Sequence, residues 1–229
     1  MRIELTPAEA RVIGCLIEKE IITPAQYPLS LSALANACNQ KTSRDPVMDL
    51  AEADVQQIVD GLIKKHLVSD RGSFGSRVTK YQHRFANVGF GSLEFTAQEL
   101  GIICLLLLRG PQTAGELRAR SNRLCHFDDA HETEKVIQGL SERVDGPFVT
   151  RLARDAGKRE PRYAHLFGDD DSAFASPAAP EPAAGEPERR HSRLEQLEEL
   201  VLEMQVQLDE VKARLERLER EPGRQGSSV

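Results

Sequence analysis

The sequence predicts a mainly helical α+β protein in which one small unit, three helices followed by a β-hairpin, occurs twice. Three observations lead to this prediction: the chain matches itself at four places, a stretch rich in proline, alanine and glutamate follows the second copy, and heptads with apolar residues come after that stretch. We therefore expect units at residues 1–90 and 91–168, a disordered linker at 169–191, a coiled coil at 192–221 and a disordered end at 222–229.

The helix that opens each unit has the same start. Leu5-Thr6-x-x-Glu9 in the first copy returns as Phe95-Thr96-x-x-Glu99 in the second. A threonine can cap a helix N-terminus, a glutamate three residues later completes a capping box, and Pro7 suits the first helical position. Apolar residues at helical spacing follow in both copies, which predicts that one face of each helix lies in a core.

Two further helices and a hairpin complete each unit. Short helices are predicted at the matching segments 31–39 and 114–122, and third helices around 58–62 and 136–140. The first hairpin strands are predicted at 66–69 and 148–151, and the second strands carry a Tyr-x-His-x-Phe stripe on one face. Its aromatic rings are expected to pin the hairpins to the helices: Tyr81, Phe85, Tyr163 and Phe167. Three helices and a hairpin describe a winged-helix domain, so we expect two in tandem.

The C-terminal part has a different composition. Four prolines fall between residues 177 and 187, where aliphatic residues are almost absent, which is typical of a flexible spacer. After it, apolar residues alternate spacings of three and four, which predicts a coiled-coil seam: Leu194, Leu197, Val201, Met204, Leu208, Val211, Leu215 and Leu218. The simplest partner is a second copy, giving a homodimer; folding back on the rest of the chain or engaging another protein are the alternatives.

Composition and motifs exclude several classes of protein. No apolar run is long enough to span a membrane and the first residues do not resemble a signal peptide, so we expect a cytoplasmic protein. The four cysteines form no Cys-x-x-Cys pair and are expected in the core. The segment Cys125–His131 gathers ligand-capable residues, but its spacing favours a polar loop with capping aspartates over a metal site. Without a catalytic or cofactor motif, we expect neither an enzyme nor a cofactor.

Basic residues concentrate in the two predicted hairpins. Up to residue 168 the chain has 22 Lys and Arg against 21 Asp and Glu, whereas the remainder has 8 against 15. The hairpin cations form a candidate surface for phosphate backbones: Arg71, Arg77, Lys80, Arg84, Arg151, Arg154, Lys158, Arg159 and Arg162. Acidic residues on both third helices argue against base reading in the major groove: Glu52, Asp54, Asp60, Glu132, Glu134 and Glu142. We therefore expect a DNA-associated regulatory protein, with a protein-interaction module as the alternative.

The first unit resembles a known family. The segments 5–19 and 26–47, which contain Gln26-Tyr27-Pro28-Leu29 and Asn39-Gln40-Lys41, are similar to the YceH-like family of bacterial proteins, and the similarity continues to about Phe167. The resemblance implies a bacterial protein with tandem winged helices. It implies no particular activity, substrate, cofactor or catalytic residue.

The polar loop of residues 39–46 has two interpretations. In one, Lys41 and Arg44 bind an anion, as exposed loop residues often do. In the other, Asn39 caps the second helix while Asp45 and Pro46 form a turn. The sequence leaves both interpretations open.

Overall fold

The computed structural model describes residues 3–71, 78–89, 93–153 and 160–168, and all of them belong to one compact unit. The first half contains α1 (Pro7–Ile22), a short 3-10 helix (Pro24–Gln26), β1 (Leu29–Ser30), α2 (Leu31–Cys38), α3 (Glu52–Lys64), β2 (Val68–Arg71) and β3 (Lys80–His83). The second half contains α4 (Ala97–Arg109), α5 (Ala114–Ser121), α6 (Ala130–Glu142), β4 (Val149–Arg151) and β5 (Tyr163–His165). The fold is α+β, and the order of three helices and a hairpin occurs twice. The predicted linker and coiled coil, with all eight seam residues, lie outside the described residues.

Both predicted capping boxes are confirmed. The Thr6 hydroxyl accepts a hydrogen bond from the Glu9 backbone N–H at 3.2 Å, and the Glu9 carboxylate accepts one from the Thr6 N–H at 2.8 Å. Thr96 and Glu99 repeat this arrangement at the start of α4. These reciprocal bonds satisfy N–H groups that a helix N-terminus would otherwise leave unpaired, so each helix begins where the sequence places it.

Each hairpin is antiparallel, and the first carries a third strand that the sequence did not predict. β3 lies between β1 and β2, with Leu29 opposite Tyr81 and Val68 opposite His83. In the second half β4 pairs with β5, and a single bridge between Gln112 and Tyr163 takes the place of the third strand. The extended conformation before β1 follows from proline at position 28, which disfavours helix for the preceding residue.

The predicted strand at 66–69 begins later in the structure, at Val68. His66 has a φ of +59°, and the Leu67 N–H donates to the Leu62 carbonyl at 2.9 Å. A left-handed residue followed by this long backward hydrogen bond is a Schellman-type helix end. The residues assigned to the start of the strand therefore end α3 instead.

The Tyr-x-His-x-Phe stripe of the first hairpin faces inward. Tyr81, His83 and Phe85 are all buried, the Tyr81 hydroxyl donates to Gln56 of α3 at 3.0 Å, and His83 Nε2 lies 2.6 Å from a Glu20 carboxylate oxygen of α1. The stripe thus pins the hairpin to the helices, as predicted. In the second stripe Tyr163 and His165 are half-buried and Phe167 is buried, and the Phe167 ring meets that of Phe85 edge-on, with centroids 5.0 Å apart.

The two halves share one hydrophobic core. Residues 9–18 of α1 and 100–108 of α4 are buried on every side, and α1 against α4 is the most extensive contact between helices in the described residues. Cys15, Cys38 and Cys104 belong to this core, as expected, while Cys125 is half-buried. A helix buried all round needs neighbours on all sides, and each first helix finds them in both halves.

Gly14 sets the distance between α1 and α4. A Cβ at this position would lie 2.9 Å from Leu108 Cδ2 and 3.2 Å from Leu107 Cβ. Leu108 is itself 1% exposed, so it has no free space into which to retreat. The absence of a side chain at position 14 is what allows the close packing.

We expect Gly14→Ala to lower the free energy of unfolding by about 1–3 kcal/mol, because the added methyl group overpacks the contact between α1 and α4. Gly139→Ala on the exposed side of α6 is the matched control, since a Cβ there meets nothing within 4 Å. That control should gain roughly 0.4–1 kcal/mol from reduced chain entropy. Urea denaturation of both variants checks the pair, and equal gains would show that the helices are not in close contact at Gly14.

Candidate nucleic-acid interface

The first hairpin presents cations directly opposite one another. Arg71 of β2 pairs with Lys80 of β3 in the antiparallel register, and both side chains are exposed. Arg84, one residue beyond β3, is exposed as well. Directly opposed like charges destabilise a hairpin, and neither cation forms an ion pair within the described part of the chain. Arg77 lies outside the described residues.

The second hairpin has a similar but sparser arrangement. Arg151 stands at the end of β4 opposite Tyr163, and Arg162 immediately precedes β5; both are exposed. Arg162 Nη2 is 3.8 Å from a Glu116 oxygen, a long contact between half-exposed groups that contributes little to stability. The other three predicted cations, Arg154, Lys158 and Arg159, are not among the described residues.

Sequence reasoning missed a second group of cations, on and beside α5. Arg118, Arg120 and Arg123 are exposed around the end of this helix, and the spacing Arg-x-Arg-x-x-Arg was the available signal. The pKa of nearby Arg109 is lowered, first by burial and then by the positive charges of Arg120 and Arg44. The charge of Arg120 therefore acts on Arg109, although Arg120 also forms an ion pair with Glu116 at 3.4 Å.

The third helix of each half is acidic on its exposed surface. Glu52, Asp54 and Asp60 of α3 are exposed, and Asp54 and Asp60 accept hydrogen bonds from the Ala51 N–H and the Gln56 amide. On α6, Glu134 and Glu142 are exposed. Glu132 accepts from the Gln98 amide and from the Asp128 N–H, which lower its pKa. Most of these carboxylates are exposed, so they would repel phosphates along both helices.

Hydrogen bonds between its two ends hold the loop between α2 and α3. Asn39 is the C-cap of α2, and its side-chain amide exchanges two hydrogen bonds with the backbone of Leu50, at 2.8 and 2.9 Å. Lys41 is exposed, as an anion-binding residue would be. The capping role weighed for Asn39 is therefore observed.

Arg44 points inward rather than to solvent. It is 5% exposed, and its guanidinium makes a two-pronged ion pair with Glu18 of α1, at 3.1 and 2.6 Å. It also donates to the Ala37 carbonyl at 3.0 Å and to the Gln40 side chain at 3.0 Å. With its donors engaged by the protein, Arg44 does not fit the interpretation that pairs it with an external anion. The reason is that Glu18 is buried in α1 and requires a cation.

The ion pair sets the charge state of both partners. Burial alone would raise the pKa of Glu18, but hydrogen bonds and charge from Arg44, with help from Lys19, bring it below its usual value. Burial alone would lower the pKa of Arg44, and the bonds to Glu18 raise it instead. Both groups are thus charged at neutral pH, inside the protein.

Residues 125–129 of the Cys125–His131 segment form the predicted polar loop, and Ala130 and His131 begin α6. Asp129 accepts a hydrogen bond from the Glu132 N–H at 2.7 Å and so caps α6. His126 Nε2 lies 3.1 Å from Asp128 Oδ1, and both side chains are largely exposed. Throughout the described ranges, no group of three or more His, Cys, Asp or Glu side chains is arranged to hold a metal ion.

Comparison with known proteins identifies the family. Residues 5–158 match the profile of the family described as "Protein of unknown function, DUF480". The chain belongs to the DUF480 family. A UPF0502 protein of Aeromonas hydrophila is 56% identical over 220 residues, which span 96% of this chain and 100% of the relative. The UPF0502 protein YceH of Salmonella paratyphi B is 50% identical over 216 residues, spanning 94% and 99%. The resemblance to YceH is thereby confirmed.

Among the described helices of this DUF480 chain, none combines the length and the apolar character that crossing a membrane requires. The two helices with the longest buried runs, α1 and α4, are accounted for by the shared core.

For this member of the DUF480 family we expect Glu18→Gln to cost about 3–5 kcal/mol of stability, because it leaves the Arg44 charge buried without a partner. Glu134→Gln, on the exposed face of α6, should stay within about 0.5 kcal/mol of the wild type. Urea denaturation at pH 7 measures both variants. A Glu18→Gln variant as stable as the control would refute the ion pair's structural role.

The same pair predicts an acid-dependent loss of stability. A carboxylate whose folded-state pKa is lowered stabilises the fold above its unfolded pKa of about 4.3, and this contribution disappears as the pH falls through the lower folded value. Denaturation between pH 7 and pH 3 should therefore show a smaller loss of stability in Glu18→Gln than in the wild type. If the free energy of unfolding fell equally with pH in the two proteins, this prediction would be contradicted.

Proposed function

We propose that this protein is a non-enzymatic, DNA-associated regulator of the bacterial cytoplasm, built from two winged-helix units that bind the phosphate backbone through their hairpins. The order of three helices and an antiparallel hairpin in each half supports the winged-helix assignment. The observation that carries the binding proposal is the opposed pair of Arg71 and Lys80. Repulsion between these two cations destabilises the hairpin, and a phosphate bound between them would offset that repulsion.

The distribution of charge favours backbone binding over base reading. Exposed cations lie on both hairpins and around the end of α5, whereas α3 and α6 present acids. Contacts to phosphates position a protein on DNA without selecting a sequence, and they make affinity strongly dependent on salt. The proposed binding mode is therefore weakly selective, with α5 adding Arg118, Arg120 and Arg123 to the hairpin surface.

A second candidate function rests on the acidic helices. Exposed acids on α3 and α6 suit a protein partner with a basic surface, as in winged-helix modules of larger assemblies. In that case the hairpin cations would protect strand edges from pairing with other chains. This alternative predicts no binding of duplex DNA by the full chain, even at low salt.

We expect Arg71→Gln and Lys80→Gln to weaken binding of a mixed-sequence duplex of about 20 base pairs, each lowering the salt slope by about 0.9 for the phosphate contact removed. Both variants should be as stable as the wild type or slightly more stable, since each removes a like-charge contact. Fluorescence anisotropy at several salt concentrations, with urea denaturation alongside, measures the two effects.

Lys135→Gln is the matched control for this experiment, because Lys135 is an exposed lysine on the acidic helix α6. It should leave affinity and salt slope nearly unchanged. If Lys80→Gln and Lys135→Gln have equal effects, the opposed pair is not the phosphate contact. If the wild-type protein fails to bind at the lowest salt, the DNA proposal falls and the protein-interaction module takes its place.

We further propose that the chain forms a homodimer through the heptad seam of residues 194–218. The argument is from sequence: an isolated helix of this length is marginal in water, and an unbroken apolar seam implies a partner helix. Dimerisation would join four weakly binding units and raise their combined affinity through effective concentration.

Deleting residues 192–229 should halve the molar mass measured by light scattering, because the seam is removed entirely. Glu199→Gln is the matched control, because the heptad spacing places Glu199 away from the seam. This substitution should leave the mass unchanged. A truncated protein whose mass is still twice that of its own shortened chain would show that the heptads do not mediate self-association.

A further inference from the structure

A small cavity lies where the two halves meet. It has a volume of about 190 Å³ and is bounded by the start of α1, the loop at residues 45–48, the end of α4 and strand β5. Much of its wall is apolar, with Leu5, Ala10, Leu106, Leu107 and Ala164 among its residues. Three side chains with polar groups also line it: Arg11, Asp45 and His165. The hairpin cations do not take part, so this cavity is separate from the proposed nucleic-acid surface.

Arg11 is a buried cation that forms no ion pair among the described residues, although the charge of Asp45, which lines the same cavity, favours its protonated form. It is 1% exposed, and its terminal nitrogens donate to the carbonyls of Cys38 at 3.0 Å, Pro46 at 2.6 Å and Leu108 at 3.5 Å. Its Nε–H has no hydrogen-bond partner, and no carboxylate of the described residues lies within ion-pair distance. Burial lowers the pKa of the guanidinium. Arg44, buried close by, differs in having Glu18 as its counter-ion.

An unbalanced charge in the interior is costly. A buried ion is normally paired, and one without a counter-ion destabilises the folded protein. Carbonyl oxygens satisfy some of the donors of Arg11 but carry no net charge. The arrangement is therefore one that an anion entering the cavity would complete.

His165 adds a neutral donor to the same cavity. Its Nδ1 accepts a hydrogen bond from the Phe167 N–H at 3.3 Å, which places the ring proton on Nε2. Burial lowers the pKa of His165 to about 4, so the ring is uncharged at neutral pH. The cavity lining thus combines one cation, the exposed carboxylate of Asp45, the neutral imidazole of His165 and apolar side chains.

We propose that this cavity binds a small monocarboxylate with an apolar body, its carboxylate against Arg11 and its body against the leucine and alanine side chains. The size agrees, since a cavity of about 150 Å³ admits benzene, and the additional volume accommodates one carboxylate. Asp45, which is exposed at the rim, repels carboxylates, so we expect the ligand to carry a single negative charge that lies against Arg11 and away from this rim. The site is independent of the proposed nucleic-acid binding.

Benzoate and hexanoate, compared with benzamide and hexanamide, test the proposal on the full-length protein. Each amide has nearly the shape of its acid without the charge. Isothermal titration calorimetry should show saturable binding of at least one acid and at least tenfold weaker binding of its amide. Thermal unfolding measured in parallel should show the same preference. Failure of both acids to bind, or equal binding of acid and amide, would overturn the proposal.

Larger side chains in the cavity wall test the position of the ligand while leaving Arg11 in place. Ala10→Leu and Ala164→Val place extra carbons in the wall while keeping Arg11, and Ala53→Leu on the exposed surface of α3 is the control. Both filled variants should lose acid binding at least tenfold, and Ala53→Leu should retain it. Using two filled variants keeps the test decisive if one of them fails to fold, as circular dichroism would report. A folded, filled variant that binds the acid as the wild type does would place the ligand elsewhere.

Discussion

The structure depends on the packing of α1 against α4. Residues 9–18 of α1 and 100–108 of α4 are buried on every side, and part of this cover comes from the first helix of the other half. Gly14 permits the close approach, and Phe85 and Phe167 bring equivalent ends of the two hairpins into ring contact. The duplication therefore supplies each half with the partner that completes its core, rather than adding a second independent unit.

The buried charges follow from the same packing. Because α1 is enclosed, Glu18 and Arg11 on that helix are buried. The loop after α2 supplies the groups that contact them. Arg44 neutralises Glu18, while the Cys38 and Pro46 carbonyls accept from Arg11. The Leu108 carbonyl, which accepts from Arg11 and from the Asp45 N–H, extends this network into the second half. The loop is thus a structural link between the halves through Arg44 and its backbone, while Lys41, Asp45 and most of its other side chains are exposed.

The sequence predicted the features that are fixed locally. Capping boxes involve residues three apart, and the period of two in the Tyr-x-His-x-Phe stripe is a property of a single strand, so both could be recognised without knowing the fold. The inward turn of Arg44, the strand β1 and the shared core depend on residues distant in sequence, such as Glu18, Tyr81 and Leu108. Arg118, Arg120 and Arg123 were missed for a different reason, because three arginines on a short helix look in sequence like any solvated helix face.

The shared core bears on the proposed binding of DNA by the two hairpins. If the halves were independent domains, the second hairpin would have to be oriented after the first had bound, at a cost in rotational freedom and linker entropy. In a compact unit with a continuous core, that orientation is fixed by folding, before any ligand arrives. The packing of α1 on α4 would then do within one chain what dimerisation through the heptads would do between two chains: hold weak cationic surfaces together so that they act as one.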